Sequence, residues 1–171
     1  MYSSAGRVNP GGIPSRMPVH SPPRMPTRPP LYRVGRSKIQ GRGLFAARSI
    51  RRGTRIVEYT GTLLTEDEAN AKDQSKRVAL FTLSDGWFLD GDEGGDATYA
   101  NHSCEPNAHS ENIDNHIWIV ADRTIRPGEE ILYDYRLGWD EEICPCHCGA
   151  PTCRGTMNLL PPRSRTPRRR R

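Results

Sequence analysis

A mostly β fold assembled from small pieces, with about one short helix, is what this sequence predicts, and three features predict it. Apolar and β-branched residues gather in short runs. Turn-forming Gly, Pro and Asp recur between them, and no stretch keeps an amphipathic 3.6-residue period over the length of a long helix. A single capping-box string, Thr65-Glu66-Asp67-Glu68, opens the one helix, which is expected to run to about Ser75.

Taken in chain order, the strand candidates are Leu31–Arg36, Leu44–Ala47, Arg55–Tyr59, Val78–Leu83, Trp87–Leu89, His116–Asp122 and Glu130–Tyr135. Asp85-Gly86 suits a tight hairpin between the fourth and fifth. Pro127-Gly128 marks a turn ahead of the last. Residues 1–30 hold eight of the fifteen prolines among Gly, Ser and Arg, so that stretch and the tail 161–171 are expected to be disordered.

Charge divides the chain in the same way. Residues 1–38 carry seven basic side chains and no acid, and residues 163–171 carry six arginines and no acid. The segment 39–162 therefore keeps 12 basic residues against all 20 acidic ones. An acidic body suits a cationic partner such as a Lys/Arg-rich peptide, or simply keeps a domain soluble, whereas nucleic acid is a candidate partner of the tails alone. The longest apolar run, Ile117–Ala121, is far short of a membrane span, and no signal-peptide core precedes the domain. The five cysteines are accordingly expected as metal ligands or free thiols in a reducing intracellular compartment, cytoplasmic or nuclear/nucleoid-associated.

Two segments carry chemistry. Cys146-His147-Cys148-Gly149-Ala150-Pro151-Thr152-Cys153 has the spacing C-x-C-x4-C, in which three thiolates can wrap one zinc ion. A closed structural site needs a fourth ligand, and Cys104, Cys144 and His147 are the candidates. Asn101-His102-Ser103-Cys104-Glu105-Pro106-Asn107 is dense in hydrogen-bonding side chains and reads as poor core material. Downstream, Tyr133 and Tyr135 stand two apart on a strand, so both hydroxyls face one side. Gly41-Arg42-Gly43 permits close backbone approach to a ligand or equally a plain turn.

Together these strings resemble the SET-domain family of protein-lysine methyltransferases with a post-SET zinc knuckle, in particular its small, single-domain, bacterial-like members. The resemblance runs from about Leu31 to Asn158 through Gly41–Ala46, Glu58-Tyr59-Thr60-Gly61, Asn101–Asn107, Gly128–Tyr135 and the cysteine cluster. It implies a SET domain over 31–138 and a knuckle over 139–160. It also implies small curved sheets (a β-clip) and a C-terminal pseudoknot that brings Asn101–Cys104 beside Tyr133–Tyr135. The methyl donor implied is S-adenosylmethionine, held by the backbone around Gln40, Gly41, Arg42 and Gly43. Asn101 would take its amino-acid end, His102 its adenine through the backbone, and Met157 would cover that ring, with Tyr135 also at the donor site. Tyr135 is implied as the catalytic tyrosine, with Tyr59 and Tyr133 lining a lysine channel and the Ala100 carbonyl facing the methyl group. The implied zinc ligands are Cys104, Cys146, Cys148 and Cys153, which leaves Cys144 as a free thiol.

Many members read Arg-Phe-x before the Asn-His string, and this chain has Thr98-Tyr99-Ala100, which removes the local salt bridge expected there. The implied substrate is a lysine in a basic protein, histone or histone-like. The alternative is a non-catalytic module of the same fold that binds a basic peptide or protein. Such a module is expected to have lost a channel tyrosine or the asparagine, and both are present.

Overall fold

A computed structural model describes residues 29–72, 79–92 and 94–162, so nearly all of both tails, with the end of the expected helix, lies outside the described residues. Strands β1 (Tyr32–Arg36) and β2 (Arg42–Ala46) form an antiparallel pair, Tyr32 opposite Ala46 and Arg36 opposite Arg42. The turn between them closes with Ser37 N–H donating to Gly41 O (3.0 Å), and Gly41 takes the left-handed φ of 45° that glycine tolerates.

A three-stranded sheet follows, ordered β4 (Thr62–Leu64), β6 (Phe88–Asp90), β5 (Leu80–Thr82), all antiparallel. The hairpin expected at Asp85-Gly86 is present, with φ of 58° and 76° at the two residues and Leu83 N–H donating to Trp87 O (2.8 Å). Helix α1 (Glu66–Ala71) starts on the expected capping box: Thr65 Oγ1 accepts from Glu68 N–H, and Glu68 accepts from Thr65 N–H. Its end is held by Lys72, whose ammonium reaches Asp90 (2.5 Å) and Asp92 (2.8 Å).

The main sheet has five strands in the order β3 (Arg55–Tyr59), β9 (His116–Ala121), β8 (Ala108–Ile113), β10 (Leu132–Tyr133), β7 (Asn101–His102). Strand β10 comes last in the chain, yet it lies between β7 and β8 and runs parallel to both. The connection 103–107 therefore crosses over it, which is the expected threading. Ser103 N–H donates to Tyr133 O (3.0 Å), Asn107 N–H to Leu132 O (3.1 Å), and Asn107 Oδ1 accepts from Leu132 N–H (2.9 Å). A side-chain amide thus completes a ladder that the short strand cannot complete alone.

Three expectations need correction. Four residues of Asn101–Asn107 are core, since Asn101, Ser103 and Asn107 are 3 % exposed and His102 1 %, satisfied by bonds from the threaded strand and its neighbours, while Glu105 is exposed. Strand β10 spans two residues instead of the six from Glu130, because parallel pairing with β7 lasts no longer. Strands β4, β7 and β8 were not expected. The β8–β9 turn uses Asp114-Asn115 at φ of 54° and 63°, a hairpin turn without the glycine that advertises one. The apolar core (Leu44, Ile50, Ile119, Ile125, Ile131) fills the space between the pieces.

Candidate active site and metal centre

The tyrosines meet because β3, β10 and the segment after β10 converge on one side of the threaded sheet. Tyr59 and Tyr133 hydroxyls lie 2.9 Å apart in the interior, Tyr133 and Tyr135 rings 4.8 Å, and Tyr135 donates to the Ala100 carbonyl at 3.0 Å. The same-face expectation for the tyrosine pair holds, although Tyr135 lies beyond the end of β10. Phe81 of the three-stranded sheet packs on Tyr59 with centroids 4.7 Å apart.

Beside this cluster, Asn101 spends both amide hydrogens, one on Arg42 O and one on Glu130 Oε1, each at 2.9 Å. Gly43 is buried against the same carboxylate. A Cβ there would stand 2.3 Å from Glu130 Oε1, so the second glycine of the turn makes room for protein. Gln40, Gly41 and Arg42 are exposed on the turn itself. Arg42 stacks on Tyr99 (3.9 Å from guanidinium carbon to ring centroid) and donates to its hydroxyl at 2.6 Å, an arrangement that the tyrosine in this position permits.

The thiols of Cys104, Cys146, Cys148 and Cys153 lie within 4.8 Å of one another, with Cys104 Sγ 3.8 Å from Cys146 Sγ and 4.0 Å from Cys153 Sγ. Sulfurs about 2.3 Å from one tetrahedral zinc stand roughly 3.8 Å apart, so the four fit a post-SET zinc site. Burial raises all three perturbed thiols, yet the backbone N–H groups of Cys104 and Ala150 and two neighbouring thiols bring Cys148 down to about 6, while burial leads the rise of Cys146 to about 12. A shared dication would favour the thiolate form at all four positions. Backbone N–H groups also point at sulfur, Arg154 to Cys104 and Gly155 to Cys153, both at 3.4 Å. Cys144 and His147 stand outside the cluster, as expected for Cys144.

His102 joins the two sites. Its Nδ1 accepts from Tyr135 N–H (3.1 Å), so the proton sits on Nε2, which faces Cys104 Sγ at 3.5 Å. The 3.5 Å approach of Nδ1 to Asp134 is therefore not an ion pair, because that nitrogen is already an acceptor. Asp134 pairs instead with Arg154, through Nη1 at 2.8 Å and Nη2 at 2.9 Å. Burial opposes the Asp134 carboxylate, but the Arg154 fork and the Arg136 N–H hold it below the ordinary aspartate value.

Arg154, Glu130 and Asn158 are the site residues that sequence reasoning missed. Asn158 is 3 % exposed and binds Gly138 O (2.8 Å), Glu142 O (3.2 Å) and Cys144 N–H (2.9 Å), fastening the knuckle to the segment after Tyr135. Met157 lies within this fastening, its N–H on Cys144 O at 2.9 Å. Only Asp134, a carboxylate between two tyrosines, gave a signal that a cationic partner was needed.

Residues 41–136 match the SET domain family model. Histone-lysine N-methyltransferase 2D of Homo sapiens is 37% identical over 137 residues, covering 73% of this chain and 2% of that protein. Histone-lysine N-methyltransferase trr of Drosophila melanogaster is 40% identical over 137 residues (73% and 6%), and histone-lysine N-methyltransferase TRX1 of Oryza sativa subsp. japonica 36% over 136 (72% and 13%). The chain thus spans a small fraction of the length of these curated relatives. The family match takes in more than half of the sequence and every strand of the threaded sheet, and on that ground this chain belongs to the SET-domain family.

Proposed function

We propose that the chain transfers a methyl group from S-adenosylmethionine to a lysine of a basic, histone-like protein. The observation that carries this reading is the convergence of three phenols: Tyr135 on the Ala100 carbonyl, with the Tyr59–Tyr133 hydroxyl pair beside it. When bound, the donor supplies a methyl group on a positively charged sulfur. The residues suit it: with both amide hydrogens of Asn101 committed, its carbonyl oxygen is the atom left to receive an ammonium group, next to the backbone of Arg42 and Gly43. Zinc held by the four cysteines would act as a structural crosslink.

A lysine must lose its proton before it can accept a methyl group, which costs roughly 4–5 kcal/mol at pH 7 for a side chain of ordinary pKa. Tyr59, Phe81 and Tyr133 offer the amine a poorly hydrated setting that favours its neutral form. His102 is no base for this step, since one nitrogen accepts from Tyr135 and the other faces Cys104. Tyr135 therefore works by position, its hydroxyl orienting the amine. A basic substrate is favoured by the exposed run Trp139-Asp140-Glu141-Glu142-Ile143 just past the tyrosines, which sets three carboxylates between two exposed apolar side chains. Histone names on the relatives point the same way and favour a nuclear or nucleoid setting. We take 31–138 as the catalytic unit and 139–160 as the knuckle. Among the described residues no helix is long and apolar enough to cross a membrane.

The test is methyl transfer to a panel of histones and other basic proteins, beside calorimetric donor binding, for the natural chain and Tyr135→Phe. Transfer is expected to fall by about 100-fold or more with donor affinity within about threefold. A variant that keeps about half of its turnover removes Tyr135 from the mechanism. A natural chain that binds a basic peptide without methylating it favours the binding module.

A further inference from the structure

Strand β10 has two residues in its ladder, and Tyr135 lies past its end. Its hydroxyl is held by the Ala100 carbonyl, while its backbone is steadied by side-chain ties, two of which lead to the knuckle. One is His102, between Tyr135 N–H and Cys104 Sγ. The other is Asp134, between the two tyrosines, gripped at two points by Arg154. Arg154 follows Cys153 directly, its own N–H points at Cys104 Sγ (3.4 Å), and Nη2 also reaches Met157 O (3.4 Å). Both side chains of the pair are about four-fifths buried, at 19% and 20% relative exposure, so the fork works largely out of water. Thr98 Oγ1 donates to Gly95 O, and the guanidinium on Asp134 is that of the residue directly after Cys153.

We propose that Arg154 is a positioning residue for methyl transfer, its fork on Asp134 carrying the state of the cysteine knuckle to the hydroxyls of Tyr133 and Tyr135. The inference rests on the functional reading above. A fork fixes angle as well as distance, whereas an ammonium fixes charge alone. An assembled knuckle holds Arg154 in register with Asp134. A knuckle that has lost its ion leaves Asp134 without the guanidinium and Tyr135 without one of its ties to the knuckle.

The experiment uses the full chain labelled with 3-fluorotyrosine, the Tyr135 fluorine resonance being assigned through Tyr135→Phe. Stripping zinc with a chelator is expected to move that resonance, and Arg154→Lys to move it while still binding about one zinc per chain. In steady state Arg154→Lys is expected to lower kcat about tenfold with KM within about twofold, and to recover part of what Arg154→Ala loses. Asp134→Asn added to Arg154→Ala should cost nothing further, as for two halves of one contact. Far-UV circular dichroism checks that each variant is folded, and if Arg154→Ala does not fold, Arg154→Lys decides alone. A resonance unmoved by both stripping and substitution, kcat within about twofold of the natural chain, or losses that multiply in the double variant would each overturn the proposal. If the natural chain methylates no basic peptide, the functional reading falls, and the fluorine comparison still decides whether Arg154 governs Tyr135.

Discussion

Two small structures flank the tyrosine cluster and hold it by different physics. The three-stranded sheet β4–β6–β5 forms from neighbours in sequence and reaches the cluster through Phe81, whose ring tilts 50° against Tyr59. The knuckle forms from three cysteines within eight residues and a fourth more than forty residues away, and it reaches the cluster through Arg154, His102 and Asn158. Ring packing is broad and tolerates small displacements, while a guanidinium fork and an imidazole bridge do not. On the proposed reading, the sheet sets how much room the site has, and the knuckle sets the angle of Tyr135.

The sharpest way to break this comparison is to take the knuckle apart. Cys104→Ser is expected to lose zinc and with it most methyl transfer, whereas Cys144→Ser keeps both, read by elemental analysis and turnover. Zinc lost from Cys144→Ser and kept by Cys104→Ser would mean the chain threads differently. The counterpart on the sheet side is Gly94→Ala. A Cβ there would lie 1.5 Å from the carbonyl oxygen of Thr60, a backbone atom that cannot swing away. Chemical denaturation should show a loss of about 3 kcal/mol with zinc content unchanged. An unaltered midpoint would mean that the packing between 60–61 and 91–94 is looser than described.

Thr65→Ala removes the cap from α1, the helix whose end Lys72 ties to β6 through Asp90. Its expected cost is about 1 kcal/mol by denaturation, with kcat untouched, since the sheet side reaches the cluster by ring packing through Phe81. A fall in kcat there would erase the distinction between the two flanks. The smallest effect concerns how many methyl groups are added. The Tyr59 and Tyr133 hydroxyls are paired at 2.9 Å, and on the proposed reading the two phenols together close the space beside the amine. The natural chain is expected to give mainly monomethyllysine, and Tyr133→Phe to raise the share of higher products about threefold by freeing that space for a methylated amine. Tyr59→Phe should act in the same direction. Mass spectra at long incubation decide it, and trimethyllysine as the main natural product would show that the hydroxyl pair is not the gate.

Local chemistry was legible before any coordinates. The helix cap at Thr65, the hairpin at Asp85-Gly86, the turn at Pro127-Gly128 and the strand Arg55–Tyr59 each depend on residues within a few positions of one another, and each stands where it was expected. The cysteine spacing announced a metal site for the same reason, and resemblance supplied Cys104 as its fourth member, which the thiol geometry supports. Burial of Asn101, His102, Ser103 and Asn107 was not legible. A run of polar residues reads as surface until the strand that satisfies it is threaded between β7 and β8, and that strand lies some thirty residues further along.

What the sequence by itself determined was therefore the inventory: short strands, one capped helix, a thiol cluster, three tyrosines and two basic tails around an acidic body. Period, turn chemistry and ligand spacing are local properties, so one dimension suffices to read them. What only the tertiary structure decided was pairing across distance. It chose Arg154 for Asp134, Glu130 for Asn101, and a tautomer of His102 that links a thiol to a backbone N–H. Each partner was chosen by which groups are brought out of water together, because a buried donor or charge must find its complement wherever the fold has placed one.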